Sequence, residues 1–507
     1  MSIADLPSPG PDTARLRDAL LAASFTADGL LELLGASAYA ALARSESVPA
    51  LRATRQDGPL ATLTRLFLLQ QDVTPEQAKA ALPMEPALAD GWLVRDGHRL
   101  RAAVDVRPFS GPDGQDWWIV SDPGCAVGGA AGIRTTGETR GDVVLGVGGA
   151  STTLAQLTVR EPVARALDVG TGSGIQALHA SLHATRVTAT DLNPRALRMA
   201  RLTLALSGAP EADLRQGSLF EPVADDGPFD LIVSNPPFVI SPLPSPEDRL
   251  TYRDGGMTGD ELCRTLVRQS GELLAEGGHC QLLANWEHLE GEDWRDRLAG
   301  WIPPGCDAWI VQREQQDVSQ YTELWLRDAG EHRGDPAAYA ARYEEWLDAF
   351  AERGTRAVGF GWISLRRSGA ARPSVIIEDW PHAVEQPLGP EIRAHFVRQD
   401  FLRTHDDAAL LECRYTLAED VIQEQIGRPG AEDPEHVVLR RRHGMMRATT
   451  LDTVGAGLAG SCDGTLRAGT IIDAIAQLLG EDAVVLRDRT PELLRGLVEQ
   501  GFLNAVD

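Results

Sequence analysis

The stretch "ALDVGTGSGIQALHA", Ala166 to Ala180, decides the fold. An apolar run carrying Asp168 passes into Gly170, Thr171, Gly172 and Gly174 and then into a helix-like pattern. Parallel strands covered by helices on both faces read as continuous apolar runs, so the first part predicts a buried strand. The glycines allow a tight turn and let a ligand come close to the main chain, and the helix after them presents unpaired N–H groups and the positive end of its dipole. Strand, glycine turn and helix together make the first unit of an open α/β sheet.

Working outward, "VTATDLNP" (187–194) predicts a second strand ending in Asp191, Leu192 and Asn193. In doubly wound sheets an acidic residue at about this distance meets ribose hydroxyls. Further strand candidates are "ADLRQGSLF", "FDLIVSN", "GHCQLLAN", "DAWIVQ" and "AVGFGWISLR", which brings the expected sheet to seven strands. Between them, "GDELCRTLVRQSGELLAEGG" predicts a helix ending at Gly277-Gly278, and "AAYAARYEEWLDAFAERG" a long amphipathic one.

The strand "FDLIVSN" continues into "NPPF", Asn235 to Phe238, where neither strand nor helix can go on. Asn235 offers a side-chain carbonyl and Pro236 a backbone carbonyl, and Pro237 adds rigidity without a donor. Such an acceptor-only turn can bind both N–H groups of a planar NH2 and aim its lone pair. Phe238 offers a flat apolar face for the amide or base. A nicotinamide cofactor would want the spacing G-x-G-x-x-G, whereas this loop reads G-T-G-S-G with a carboxylate two residues ahead. That carboxylate suits an ammonium or sulfonium cation better.

Together, Asp168 to Gly174, Asp191 and Asn235 to Phe238 resemble the S-adenosylmethionine (SAM) dependent class I methyltransferases. Within them the motif is similar to that of HemK-type glutamine, RsmC-type ribosomal RNA and adenine N6 methyltransferases. The resemblance covers roughly residues 143–367 and implies a Rossmann-like seven-stranded methyltransferase sheet. It implies that Asp168, Gly170, Thr171, Gly172 and Gly174 hold the methionine end of SAM, and that Asp191, with Leu192 and Asn193, meets the ribose. In "QGSLFEP" (216–222), Ser218 stands where HemK-like proteins carry an acidic residue for adenine, so Leu219 or a main-chain amide is expected to share that contact. Asn235 borders both cofactor and acceptor. "YRDGG", with Tyr252 and Arg253, is placed at the substrate mouth or in a packed, solvated loop.

The flanks read differently. Residues 1–110 show short helices followed by the hairpin-like "GWLVRDGHRLRAAVDVRPF", turning at Asp96-Gly97, a winged-helix-like accessory region. Residues 111–142, rich in Gly, Asp and Pro, read as a junction, and 368–507 as a C-terminal accessory domain. Its "TPELLRGLVEQGFL" echoes "TPEQAKAALPMEPALADGWL" near the N-terminus, which suggests two related small domains.

The 507 residues carry a formal charge of −25, the opposite of the basic footprint of a nucleic-acid-binding domain. "LRRRHGMMR" (439–447) is the one dense basic cluster; a solvated face paired to neighbouring acids is the favoured reading and contact with phosphates the alternative. The six cysteines form no CxxC pair, so free thiols are expected, with no metal site. No leader pattern and no long apolar run is apparent, which predicts a cytoplasmic chain that does not enter a membrane. The expected activity is SAM-dependent N-methylation of a planar amide or amine, with a protein glutamine as first choice. RNA or DNA base methylation and a non-catalytic SAM-binding or partner-binding module are the alternatives.

Overall fold

The computed structural model describes residues 3, 6–44, 46–125, 141–242, 253, 255–429 and 434–506. The chain divides into two compact units, one comprising Met1–Ala155 with Glu161–Trp380 and the other Gln156–Arg160 with Pro381–Asp507.

The first unit begins with helices α1 (Thr13–Ala22), α2 (Ala27–Ala43), α3 (Val48–Ala53), α4 (Pro59–Leu63), α5 (Pro75–Ala81) and α6 (Met84–Ala89). Strands β1 (Leu93–Asp96) and β2 (Arg99–Ala102) form a hairpin in which Asp96 faces Arg99 across the turn. A second hairpin joins β3 (Asp105–Ser110) and β4 (Asp116–Ser121). The stretch 111–142 is therefore not simply a junction, since it supplies β4, with Trp117 and Trp118 both buried. Residues 126–140 lie outside the described residues. The N-terminal helices do not have a core to themselves. Leu20, Phe67, Trp118 and Val120 share one apolar cluster with Met199, Leu202 and Leu206 from the sheet region.

The large sheet contains β5 (Val163–Val169), β6 (Ala184–Asp191), β7 (Asp213–Gln216), β8 (Phe229–Ser234), β9 (Leu274–Leu289), β10 (Cys306–Asp317), β11 (Thr355–Arg367) and β12 (Val375–Asp379), in the order β12-β10-β11-β9-β8-β5-β6-β7. β5, β6, β7, β8 and β9 are mutually parallel, while β11 runs antiparallel to both β9 and β10. From β5 the chain winds out to β7, then crosses back to β8 on the other side. The crevice outside the carboxyl ends of β5 and β8 is thus a topological switch point, where such sheets bind ligands.

Seven strands were expected, and the large sheet has eight among the described residues. β12 pairs in parallel with β10 and extends the sheet past residue 367. It is a five-residue, half-buried edge strand with too little apolar pattern to stand out. The helix expected to stop at Gly277-Gly278 is α10 (Glu261–Leu273), which follows α7 (Gly149–Leu157), α8 (Ile175–Ala180) and α9 (Pro194–Leu206). It ends four residues early because Leu274 already pairs with Phe229, and the two glycines serve a register shift at the start of β9. Gly277 takes the left-handed φ of 77° there. After α11 (Trp294–Ala299), helices α12 (Val318–Asp328) and α13 (Pro336–Arg353) lie between β10 and β11. Their Tyr321, Leu326, Trp346 and Phe350 form an apolar layer with Val239 and Ile240, directly after the Asn235 turn.

The second unit holds two three-stranded sheets, among them residues 414–417, 463–467 and 503–506, with helices Ala468–Leu479 and Ala483–Glu499. The two echoing segments end alike, each helix passing through a left-handed glycine (Gly91, φ 81°; Gly501, φ 78°) and a buried aromatic (Trp92; Phe502) into a strand, but they begin differently. Thr74 caps α5 through a capping box with Gln77, whereas Thr490-Pro491 lies inside the helix Ala483–Glu499. In the basic cluster, Arg440 pairs with Glu424 at 2.7 Å, and Arg441 with Asp420 at 2.7 Å. The six cysteines are free thiols.

Candidate active site

A cleft of about 320 Å³ opens at the carboxyl ends of β5, β6, β7 and β8. That volume lies within the usual range for small-molecule sites. Each of the four strands contributes the loop that follows it, so residues far apart in the chain meet because the sheet is parallel.

The β5 turn carries the three glycines in left-handed conformation, with φ of 75°, 54° and 86° at Gly170, Gly172 and Gly174. A Cβ at Gly170 or Gly172 would meet nothing within 4 Å, so both leave open space beside the cleft they line. At Gly174 a Cβ would stand 2.8 Å from Ala200 Cα, which makes that glycine a packing residue between α8 and α9. The amides of Gly170 and Thr171 both donate to Thr190 O at the end of β6, which ties the two strand ends together. Helix α8 has only six residues, so its dipole is a small contribution.

Asp168 lies beneath this loop, 1% exposed, and does not line the cleft. Its Oδ2 accepts from Thr171 Oγ1 at 2.6 Å and from Ala177 N at 3.0 Å, while the buried Oδ1 has no protein partner. Burial pushes its carboxyl up to about 7, against the pull of those two hydrogen bonds. A buried carboxylate with one unsatisfied oxygen fits a cationic ligand above the loop, whose charge would favour the ionised form.

Asp191 does line the cleft. It accepts from Gly172 N at 2.9 Å and Asn193 N at 2.8 Å. Burial raises its pKa and those two amides oppose the rise. Each oxygen keeps a lone pair for a ligand hydroxyl. Leu192 and Asn193 complete this corner, and the Asn193 side chain caps α9 by accepting from Arg195 N at 2.9 Å. From the β7 loop come Ser218 and Leu219; Leu219 takes a left-handed φ of 48° and its carbonyl accepts from Thr190 Oγ1 at 3.2 Å. A non-glycine residue in that conformation is uncommon outside functional loops.

At the opposite end, Asn235, Pro236 and Pro237 line the cleft. Ser234 Oγ holds the end of β8 to β5 by donating to Val169 O at 2.8 Å. Asn235 Nδ2 donates to Ser151 Oγ at 3.3 Å, which engages one of the two N–H groups of the carboxamide. The carbonyl of Pro236 already accepts from Phe238 N at 2.8 Å and retains its second lone pair. Phe238 is half-buried and sits outside the cleft wall, its ring meeting Trp325 edge-on at 6.5 Å.

Several lining residues escaped the sequence reading: the segment from Val143 to Ser151, with Gly255, Met257, Leu262 and Leu266. Neither charge nor periodicity marks them, and the Ser151–Asn235 contact spans 84 residues of chain. Arg253 is buried, with its guanidinium 5.9 Å from the Trp346 ring centre, so it packs instead of opening toward the cleft. Tyr252 lies outside the described residues. Among the described residues no cluster of three or more potential metal ligands occurs.

The sheet order, the left-handed glycine turn and the acidic end of β6 agree with the resemblance to class I methyltransferases. In agreement, residues 147–294 match the family model described as a methyltransferase small domain, and two models described as domains of unknown function match 22–103 and 393–505. A release factor glutamine methyltransferase of Deinococcus radiodurans is 37% identical over 145 residues, 27% of this chain and 51% of that protein. A ribosomal protein uL3 glutamine methyltransferase of Bradyrhizobium diazoefficiens is 35% identical over 126 residues, 23% of this chain and 39% of that protein. A ribosomal RNA small subunit methyltransferase C of an Enterobacter species is 33% identical over 123 residues, 24% of this chain and 31% of that protein. The chain thus spans about half, or less, of the length of these curated relatives. A solved putative methyltransferase of Streptococcus mutans in complex with SAH covers 43% of this chain and 94% of its own, at 15% identity and a TM-score of 0.25. Over residues 147–294 the chain is thus similar to methyltransferases of the release factor glutamine and ribosomal RNA small subunit kinds.

Proposed function

We propose that the chain is a cytoplasmic N-methyltransferase acting on a planar amide nitrogen, with a protein glutamine side chain as acceptor. One observation carries this reading: Asn235 and Pro236 present carbonyl acceptors in the same cleft that holds Asp191 and the glycine turn. SAM, when bound, supplies a methyl group on a positively charged sulfur.

The chain's own residues then have defined tasks. Asp191 takes the ribose hydroxyls, Gly170 and Gly172 let the cofactor lie against the main chain, and Ser218 and Leu219 border the adenine. Asp168 supports the loop from below and balances the cationic end. Asn235 Oδ1 and the Pro236 carbonyl accept the two N–H groups of the acceptor, turning its lone pair toward the methyl carbon. Transfer to that nitrogen would form the N–CH3 bond at the expense of the sulfonium carbon–sulfur bond, with the electron pair left on sulfur, and the displaced proton would leave to solvent. Phe238, outside the cleft wall, braces the turn from behind by packing against Trp325.

Asp191 is the only charged side chain among the described residues lining the cleft, so the acceptor end suits an uncharged NH2 group, a carboxamide and a base amine alike. The formal charge of −25 favours a cationic partner surface over a phosphate backbone. The test is incubation with methyl-labelled SAM and cell extract, followed by separation of protein, RNA and small molecules. Label is expected in protein and should be released as methylamine by acid hydrolysis, which distinguishes an amide from a methylated lysine or arginine. Label confined to RNA would replace this reading with base methylation.

A further inference from the structure

The N-terminal region reaches the cofactor end of the cleft through one buried ion pair. Asp122, directly after β4, receives Arg195 Nε at 3.0 Å on Oδ1 and 2.8 Å on Oδ2, with Arg195 Nη2 also on Oδ1. Arg195 is 1% and Asp122 6% exposed. The same aspartate holds Val144 by both main-chain groups: Val144 N donates to Asp122 Oδ2 at 2.9 Å, and Asp122 N donates to Val144 O at 3.0 Å.

Both partners lead to the cleft. Val144 belongs to its wall. Arg195 N donates to Asn193 Oδ1 at 2.9 Å, Asn193 N donates to Asp191 Oδ1 at 2.8 Å, and Asn193 Nδ2 donates to Asp142 O at 2.9 Å. The wall at 142–144 and the ribose corner at 191–193 are therefore fastened to each other and, through Asp122, to the β3–β4 hairpin.

The attachment is built into one face of α9. Residues 195, 199, 203 and 207 recur every four positions and so share a face. Thr203 Oγ1 accepts from Val120 N at 3.0 Å and Ser207 Oγ from Trp118 N at 3.0 Å, while Met199 lies in the shared apolar cluster. The main-chain groups of β4 that would otherwise be left without partners are satisfied by this stripe. Ser207 and Thr203 secure the hairpin away from the cleft; Asp122 secures it at the cleft.

We infer that Asp122 is a positioning residue for SAM: it holds the Val144 wall and the Asp191–Asn193 corner at the separation the cofactor needs, so that the N-terminal region forms part of the cofactor site. This rests on the SAM reading above. Asp122 touches neither the acceptor nor the reacting atoms, so its loss should appear in cofactor affinity and not in the chemical step.

The test measures direct binding of labelled SAM by equilibrium dialysis, with no acceptor present, on full-length parent, Asp122→Asn, Asp122→Asn/Arg195→Gln and Ser207→Ala proteins. Asp122→Asn should weaken SAM about tenfold, the loss of one charge-assisted contact. It should raise KM for SAM and leave kcat at saturating SAM within about twofold of the parent. The double variant removes the buried guanidinium together with its carboxylate and is expected to fold even where the single one does not, yet should bind SAM as weakly. Ser207→Ala should lower Tm and leave SAM affinity unchanged. The inference fails if Asp122→Asn binds SAM like the parent, if the double variant regains affinity, or if Ser207→Ala loses affinity along with Tm. A parent protein that binds no SAM would instead overturn the cofactor reading itself.

Discussion

The two ends of the cleft are built by different means. At the cofactor end, two carboxylates are held by short hydrogen bonds, Asp168 from Thr171 and Ala177, Asp191 from Gly172 and Asn193. At the acceptor end the groups on offer are carbonyls: Asn235 Oδ1, with its amide nitrogen turned to Ser151, and the main-chain oxygen of Pro236. On the function proposed above, one end binds a cation and its hydroxyls and the other aims an uncharged NH2 group. Changes at the first should therefore move affinity for SAM, and changes at the second should move turnover.

The largest effect should come from the acceptor end. Asn235→Ala is expected to lower kcat about a thousandfold, the scale seen when a single preorganised polar group is removed from an active site. Steady-state rates on the acceptor fraction identified by labelling will measure it. A loss smaller than tenfold would mean that the carboxamide does not orient the nitrogen.

Next comes the ribose corner. Asp191→Ala removes two hydrogen bonds to a charged acceptor and should weaken SAM about a hundredfold, while kcat at saturating SAM falls only a few-fold. Isothermal titration with SAM and with its demethylated product separates the two quantities. Equal losses in binding and turnover would blur the distinction between the ends.

The smallest effect is one of pH. Asp168 is raised from an ordinary 3.8 to about 7 by burial, so the folded ligand-free protein favours its protonated form. Its contribution to stability is present below pH 4 and is lost as pH rises toward 7, because a buried charge must then form. Binding of a cation has the opposite dependence, since it favours the ionised carboxylate, and SAM affinity should fall as pH drops below about 7. In Asp168→Asn both dependences should flatten, with SAM affinity about tenfold below the parent at pH 8. Melting curves and SAM titrations from pH 5 to 8 will show it. An unchanged pH profile in the variant would remove Asp168 from the cofactor's electrostatics.

The cofactor end was largely legible in the sequence and the rest of the cleft was not, for physical reasons. Buried parallel strands leave continuous apolar runs, and each ends in residues with one evident task, such as Gly170, Asp191 and Asn235. The wall from Val143 to Ser151 bears small and apolar side chains that look like any loop. Asp122 and Arg195, 73 residues apart, look like ordinary surface charges until the fold joins them. β12 and the early end of α10 were missed because a five-residue edge strand and a register shift at Gly277-Gly278 depend on neighbours, not on local pattern. Phe238 could be assigned to the turn from sequence, but its packing against Trp325 depends on α12, which lies some eighty residues further along the chain.

The division between the ends is tested most directly by measuring SAM binding, with no acceptor present, to Asn235→Ala and Asp191→Ala side by side. The expected result is that Asn235→Ala binds SAM within about twofold of the parent while Asp191→Ala binds about a hundredfold more weakly. Comparable loss of SAM binding in both variants would contradict it, because the asparagine would then be a cofactor ligand and the acceptor end would have no distinct role.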